Sequence, residues 1–291
     1  MRRILLILLI FVAALAGAGA WVARDFWGPG PLAKTVDLVI PKGNVEGTAA
    51  VLAEAGIVAH PRVFVIVISL LGHRHALRAG EYRFPASVSA EDAMNILMFA
   101  RPVERKLTVP EGYTTAQAIA VVDAAPGLEG PVPPALMAEL GEGGLLPETY
   151  IYTWGDSREA MLERMHKAME ETLAHLWAAR DSDLPLASPE QALILASIIE
   201  KETAIPEERA HIAAVFLNRL RLHMRLQSDP TVAFAITDGK HRLGRPLTRA
   251  DLETPSPYNT YESDGLPPGP IDNPGKASIE AAMHPMKSRD L

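Results

Sequence analysis

Two glutamates near the end of one predicted helix, Glu200 and Glu202, are the side chains best suited to acid–base chemistry in this sequence. The helix is predicted to begin at Ser188, a good N-cap, with Pro189 at its first position and Gln191 three residues after the cap. A carboxylic acid at such a site can give a proton to a leaving oxygen and later take a proton back. The pair therefore predicts general acid and base catalysis.

The register of the helix distinguishes the two glutamates. Leu195, Ile198 and Ile199 lie seven, four and three residues before Glu202, so Glu202 is predicted to continue the apolar stripe and to lean toward the core. Glu200 follows a smaller, more mixed face and is expected to reach water. Because burial disfavours the charged form of a carboxylate, we expect Glu202 to be the proton donor, with Glu200 as the alternative.

Considered alone, two helical glutamates beside Lys201 and Arg209 are most often exposed surface carboxylates. Polar and aromatic residues farther along the chain favour a functional interpretation, because amides, hydroxyls and rings can bind the hydroxyl groups and faces of sugars. These predicted substrate-binding residues are Asn218, Gln227, Ser228, Asp229, Tyr258, Asn259, Thr260 and Tyr261. Together with the glutamates they predict a polysaccharide cleft.

Composition and motifs argue against several other classes of function. With no cysteine there is no disulfide, no thiol nucleophile and no cysteine-based zinc site. The nine histidines form no zinc-protease motif, no serine lies in a nucleophile elbow, and no glycine-rich nucleotide motif occurs. The net charge of −7, with basic residues scattered, argues against a nucleic-acid surface. We therefore expect no metal, no cofactor and no nucleic-acid partner.

The N-terminal segment predicts contact with a membrane. Residues 4–23 carry no charge and are long enough to cross a bilayer as one helix. Arg2 and Arg3 favour a cytoplasmic N-terminus, which would place the rest of the chain on the far side of the membrane. The alternative is a cleaved signal peptide, because Ala18-Gly19-Ala20 resembles a cleavage site. Both alternatives export the body of the protein.

The positions of apolar and turn residues predict an α+β protein. Residues 1–27 are predicted to form a cytoplasmic tip and membrane anchor, 28–34 a linker, 35–112 a small α+β module, 113–144 a connecting helix and hinge, and 145–291 a mainly helical catalytic domain with a small sheet. Strands are predicted at 35–40, 81–84 and 103–109, and helices at 45–55, 61–71, 89–99, 114–124, 157–180, 189–203 and 207–222. Residues 63–68 could instead form a strand. From Gln227 onward we expect ordered loops rather than another helix.

Several blocks of the sequence resemble the YceG-like family of endolytic murein transglycosylases. The blocks are Glu148-Thr149-Tyr150, 195–203 (LASIIEKET), 215–220 (VFLNRL), 226–232 (LQSDPTV), Tyr258-Asn259-Thr260-Tyr261 and 265–271 (GLPPGPI). The resemblance covers nearly the whole chain. It implies a membrane anchor, a catalytic domain, and a LysM-like identity for the small α+β module at 35–112.

The resemblance implies a bacterial inner-membrane enzyme that cuts the bond between N-acetylmuramic acid and N-acetylglucosamine in new glycan strands. The resemblance maps the one catalytic glutamate to Glu202, and the reaction would leave 1,6-anhydro ends on the product. Glu148 joins the expected substrate-binding residues, and peptidoglycan synthases are the implied protein partners. Two alternatives remain, a muramidase that uses Glu202 with Asp229 to deliver water, and a non-catalytic glycan-binding scaffold. Since family members usually continue past the match to His284-Pro285-Met286-Lys287, we also expect a truncated or diverged C-terminus.

Overall fold

The computed structural model describes residues 2–291 and divides the chain into two compact units. Unit 1 comprises Met1–Arg105 with Tyr152–Gly155, and unit 2 comprises Lys106–Ile151 with Asp156–Leu291. The elements in chain order are α1 (Arg2–Trp27), β1 (Val36–Ile40), α2 (Val45–Glu54), α3 (Pro61–Leu70), β2 (Gly80–Phe84), α4 (Ala90–Phe99), β3 (Glu104–Thr108), α5 (Thr115–Asp123), α6 (Pro134–Leu140), β4 (Thr149–Thr153), α7 (Arg158–Ala178), α8 (Pro189–Glu202), α9 (Arg209–Arg221), α10 (Asp229–Thr237), α11 (Arg249–Leu252) and α12 (Lys276–Met283). A short 3₁₀ turn, Pro206–Glu208, precedes α9. The predicted α+β class is confirmed.

Unit 1 is built on a strand, helix, helix, strand arrangement. β1 and β2 pair antiparallel in register from Val36 opposite Phe84 to Ile40 opposite Gly80. The segment that could have been a strand forms α3, because Phe64, Val67 and Ile68 lie on one helical stripe and all three are buried. β3 pairs with β4 in a second two-stranded sheet.

The N-terminal helix α1 is long and apolar enough to cross a membrane, with a mean hydropathy of 2.6 over its most apolar window. Its last turn belongs to the core of unit 1, where Phe26 is fully buried and its ring lies 6.3 Å from that of Phe64. The predicted linker is likewise packed. Leu32 is buried, and its carbonyl oxygen accepts a 2.8 Å hydrogen bond from the backbone of Ser87. The glycines and prolines of residues 28–34 therefore shape an ordered segment.

Unit 2 surrounds α8, which is buried from Ile194 to Ile199. α12 packs along α8 through its own small residues, with Ser278, Ala281 and Ala282 buried in the contact. Small side chains on both helices allow their axes to approach closely. This long-range contact has no local signal in the sequence.

The boundary between the units lies earlier than the sequence suggests. Unit 2 begins at Lys106, so the segment predicted as a hinge, 113–144, lies entirely within it. Asn273 explains this difference, because its buried side chain accepts a 2.8 Å hydrogen bond from the backbone of Leu145 and donates a 2.9 Å bond to the Tyr113 carbonyl. One amide thus joins three separate stretches of the unit.

The region after Gln227 is also more helical than expected. α10 begins at Asp229 with Pro230 in its first turn. Backbone N–H groups in the first turn have no partner within the helix, so the N–H that proline lacks costs no helical hydrogen bond there. The turn residues suggested a loop, but Thr231 and Val232 are buried and hold the segment as a helix. The sequence expectation was wrong here because tertiary burial outweighed local composition.

Replacing Asn273 by Ala should destabilise unit 2 by about 1–3 kcal/mol, because the Leu145 N–H loses its partner in a buried position. Urea unfolding of the full chain in detergent measures the change, with Lys276→Ala, at an exposed position three residues away, as the control. Equal midpoints for the two variants would contradict the role given to Asn273.

Candidate active site

Glu202 is the last residue of α8 and its side chain is exposed. Its Oε2 accepts a 2.9 Å hydrogen bond from the hydroxyl of Ser228. Ser228 is 1% exposed and immediately precedes α10. The carboxylate is therefore held at one oxygen by a buried hydroxyl while the residue stays open to solvent.

A second carboxylate, Asp229, lies beside this pair. Its Oδ1 accepts a 2.7 Å hydrogen bond from the hydroxyl of Tyr261. That bond, followed by burial and the negative charges of Asp229 and Glu202, raises the pKa of Tyr261 to about 12. The tyrosine thus remains a protonated donor close to both carboxylates.

Buried hydroxyls fix Ser228 in place. Thr231 donates to the Ser228 carbonyl at 2.6 Å, and the backbone N–H of Ser228 donates to the Thr260 hydroxyl at 3.0 Å. The Thr231 and Thr260 hydroxyls are 2.8 Å apart. Gln227 adopts a left-handed conformation (φ 52°) and its N–H donates to the Thr260 carbonyl at 3.1 Å. This network joins two segments distant in sequence into one wall beside Glu202.

Two of the predicted substrate-binding residues serve that wall. Asn259 is 0% exposed, and its amide donates to the carbonyls of Leu252 and Thr254 at 2.9 and 2.8 Å while its oxygen accepts from the Tyr261 backbone. Thr260 is 1% exposed. Both side chains make hydrogen bonds within the protein, and their direct contact with substrate stays a prediction.

Three other predicted residues lie apart from Glu202 or on its margin. The amide of Asn218 donates to the carbonyls of Ser288 and Asp290, each at 3.0 Å, so it binds the C-terminal segment. Glu148 is exposed, and its negative charge contributes to the raised pKa values of two groups, Glu111 and Tyr150. Tyr258 is half-buried with its ring 4.8 Å from that of Phe234 on α10. Gln227, Ser228, Asp229 and Tyr261 are the predicted residues that the structure gathers around Glu202.

The burial expected for the two glutamates is reversed. The side chain of Glu200 is 6% exposed, whereas Glu202 is exposed. Glu200 Oε2 accepts hydrogen bonds from the Gly275 backbone at 3.0 Å and the Ser278 hydroxyl at 2.8 Å, at the start of α12. The small residues that precede Glu200 allow α12 to pack closely against that face of α8, which buries Glu200. The apolar stripe of α8 ends before Glu202, so Glu202 is left exposed.

A cluster of charged groups that sequence reasoning missed lies beneath the end of α8. Asp272 is fully buried and neither of its carboxylate oxygens has a hydrogen-bond partner among the described residues. Burial raises its pKa well above the usual range; the Lys201 ammonium opposes the rise, and the charges of Glu200 and Glu142 add to it. No spacing in the sequence links Asp272 to α8, so only the folded chain brings these groups together.

Glu111 and Arg209 complete this cluster. Arg209 lies 3.6 Å from the Glu111 carboxylate and 3.5 Å from that of Glu200. A side chain at Gly275 would contact the Glu111 carboxylate, so Glu111 would have to move to admit one. Within residues 2–291, no group of three or more potential ligands is placed to hold a metal ion.

The same part of unit 2 contains a cavity of about 330 Å³. Lys201 and Pro230 line it, and they are the immediate neighbours of Glu202 and Asp229. The cavity and the carboxylate pair therefore draw on the same two helices, α8 and α10.

Comparison with known proteins agrees with this arrangement. The family model described as the YceG-like family matches residues 38–291, which is most of the chain. The chain belongs to the YceG-like family. The predicted family is thereby confirmed, and the segment carrying Glu202, Ser228 and Asp229 lies within the match.

Relatives within the YceG-like family carry a functional name. The endolytic murein transglycosylase of Streptococcus pneumoniae serotype 2 (strain D39) is 30% identical over 305 aligned residues, covering 89% of this chain and 54% of the relative. The endolytic murein transglycosylase of Bacillus subtilis (strain 168) is 44% identical over 149 residues, covering 50% of this chain and 39% of the relative. The chain thus spans about half the length, or less, of these curated relatives.

A solved YceG-like structure shares the fold. The crystal structure of a YceG-like protein from Listeria monocytogenes superposes with a TM-score of 0.56 at 30% identity, covering 88% of this chain and 91% of that chain. The similarity extends over nearly the full length of both chains.

The raised pKa of Asp272 makes the stability of this YceG-like chain depend on pH. A carboxyl whose pKa is raised on folding stabilises the protein fully below its unfolded value of about 3.9, and this contribution is lost as pH rises through the folded value. Asp272→Asn should therefore lose less stability than the wild type between pH 4 and pH 8. Urea unfolding at several pH values measures this. Asp183→Asn, whose side chain is 86% exposed, should parallel the wild type, and an equally parallel curve for Asp272→Asn would contradict the prediction.

Proposed function

We propose that this protein is an endolytic lytic transglycosylase that cleaves the bond between N-acetylmuramic acid and N-acetylglucosamine in peptidoglycan. The observation that carries the proposal is the exposed glutamate at the end of α8, held by Ser228 beside the Asp229–Tyr261 pair. Relatives named endolytic murein transglycosylases, which align with 89% and 50% of the chain, support the same substrate class.

In the proposed reaction, the protonated Glu202 carboxyl gives its proton to the glycosidic oxygen as the bond from that oxygen to C1 of muramic acid breaks. The resulting carboxylate then accepts the proton of the C6 hydroxyl of the same sugar, and that oxygen bonds to C1. The product is a 1,6-anhydro ring, and the glutamate ends in its starting state. One residue thus serves as acid and then as base.

The neighbours of Glu202 support this role. Ser228 holds one oxygen, and it is the one hydrogen-bond partner of this carboxylate in the part of the chain that the structure describes. The other oxygen is therefore available to substrate. Tyr261 interacts with the charges of both Asp229 and Glu202, and we assign to the Asp229 carboxylate the stabilisation of positive charge that develops on the sugar ring. We propose that Gln227, Tyr258 and Tyr261 contact the sugars, with Asn259 and Thr260 holding their loop.

Glu200 fits the catalytic role less well. Its carboxylate is 6% exposed and is occupied by the Gly275 N–H, the Ser278 hydroxyl and Arg209. A carboxylate that caps α12 in this way cannot reach a glycan strand without breaking the contact between the two helices. We therefore keep Glu202 as the catalytic residue.

The decisive experiment is mass spectrometry of products released from purified glycan strands by the full chain in detergent, beside Glu202→Gln and Glu200→Gln. The wild type should release 1,6-anhydro-muramic acid ends. Glu202→Gln should fold normally and lose activity by about two orders of magnitude or more. Glu200→Gln should lower the unfolding midpoint, because it weakens the bonds to α12, and should keep chemistry in the fraction that remains folded.

Each alternative has its own outcome in this experiment. Reducing ends that depend on both Glu202 and Asp229 would replace the proposal with a muramidase, in which Asp229 helps to deliver water. No product from a folded wild-type chain would favour a non-catalytic glycan-binding scaffold. Glu207→Gln, at an exposed position on the 3₁₀ turn, is the matched control and should leave the products unchanged.

We further propose that α1 anchors the protein in the inner membrane, with Arg2 and Arg3 in the cytoplasm and the remainder outside. The buried Phe26 and a 2.7 Å hydrogen bond between Asp25 and His60 fix the end of α1 to unit 1. The strand, helix, helix, strand order of unit 1 supports a LysM-like module, which would then stand close to the bilayer. We propose that peptidoglycan synthases are the protein partners, since they make new strands at the same surface.

The absence of cysteine allows this topology to be tested directly. Glu171→Cys, at an exposed position in α7, should react with a membrane-impermeant maleimide at the outer face of spheroplasts. Arg3→Cys should react only after lysis. Reversed labelling would contradict the topology, and an intact mass lacking the first 20 or so residues would show a cleaved signal peptide instead.

A further inference from the structure

The cavity that α8 and α10 help to line has an unequal distribution of charge. Lys201, His241 and Arg242 line it, and Glu111 is the one carboxylate among its lining residues. Glu111 lies 3.6 Å from Arg209, which it shares with Glu200. The walls therefore present more positive than negative charge.

Lys201 has donors to offer the cavity. Its Nζ donates a 2.9 Å hydrogen bond to the carbonyl of Gly112, and an ammonium group has three donors, so further donors remain available. Asp272 and Glu142 are the acidic groups that interact with it from within the protein, and burial raises the pKa of each carboxyl. The ammonium thus remains able to attract an anion.

The opposite wall of the cavity is apolar. One face of α10 supplies Ala233 and Phe234, and Ile271 and Leu243 lie nearby. The volume of about 330 Å³ is at the lower end of the range for small-ligand sites. An occupant must therefore be short, carry a carboxylate and present small apolar groups.

From this geometry we propose that the cavity binds the acidic peptide branch of the muramic acid that occupies the active site. This inference rests on the proposed function and names the part of the substrate that the cavity would recognise. In a strand that bears peptides, the lactyl carboxyl of each muramic acid is bound to the peptide as an amide, so the carboxylates lie on the peptide branches. Alanine methyl groups and carboxylates alternate along such a branch, which matches an apolar wall facing cationic groups.

The position of the cavity agrees with this assignment. Lys201 directly precedes Glu202, and Pro230 directly follows Asp229. On this proposal, a peptide attached to the sugar at Glu202 runs to the cavity past these neighbouring residues of α8 and α10. Binding there would orient the sugar for attack, so the site would select strands that retain their peptides.

The test compares two substrates prepared from the same strands, one with peptides and one stripped of them by an amidase. His241→Gln combined with Arg242→Gln should raise KM for peptide-bearing strands by about five- to tenfold, since the Arg242 cation and the hydrogen-bonding ring of His241 are removed from the cavity wall. Cleavage of the stripped strands should be unchanged. Arg249→Gln, an exposed arginine of α11 outside the cavity, is the matched control and should alter neither substrate.

Two outcomes would overturn the inference. One is that the wild type cleaves both substrates with equal efficiency, and the other is that the double variant affects both substrates alike. Calorimetry with the free tetrapeptide released by the amidase separates this result from failure of the proposed function. Binding that the double variant weakens would support the cavity even if no strand is cleaved, whereas no binding by the wild type would contradict it.

Discussion

The buried carboxylate of Glu200, at the contact between α8 and α12, is the interaction on which the rest of the site depends. It accepts hydrogen bonds from the backbone N–H of Gly275, which caps α12, and from the hydroxyl of Ser278 in the first turn of α12, and Arg209 lies 3.5 Å away. The negative charge also lies where the dipole of α12 favours an anion. An apolar residue here could not hold the N-terminus of α12, and a smaller polar one could not reach it. The contact therefore fixes the rotation of α8 about its axis.

That rotation determines where Glu202 points. Two residues along a helix is about 200° of rotation, so when Glu200 faces α12, Glu202 must face away from it. The helix ends at Glu202, and the exposed carboxylate meets Ser228, whose own position is set by the buried hydroxyls of Thr231 and Thr260. Burying one glutamate of the pair thus exposes the other in a defined orientation. The stability of the helix pair and the geometry of the site have a common origin.

Much of the fold could be predicted from the sequence because its signals are local. Thr114, Ser157 and Ser188 each cap a helix that begins where expected, since an N-cap acts within three residues. The predicted α8 is correct to within one residue. What could not be predicted depends on distant segments. The approach of α12 reversed the burial of the two glutamates, Asn273 drew residues 106–144 into unit 2, and burial made a helix of α10.

The residues of the candidate site likewise separate into those that residue type suggests and those that only the packing of distant segments reveals. Gln227, Ser228, Asp229 and Tyr261 were predicted from residue type, the first three as neighbours in the chain and Tyr261 in the separate stretch 258–261. Asn259 and Thr260 were also predicted from residue type to bind substrate, yet their side chains make hydrogen bonds within the loop that carries Tyr261 and with its neighbours. A polar residue beside an active site can either bind substrate or hold the backbone, and the sequence does not show which, because burial depends on the fold.

Asp272 was missed for the opposite reason, because an isolated aspartate in a proline-rich segment gives no indication that it will lie unpaired beneath Lys201. Burial raises the pKa of this carboxyl, and the neighbouring Lys201 instead donates a hydrogen bond to the Gly112 carbonyl. Further donors of Lys201 remain available to the cavity that it lines.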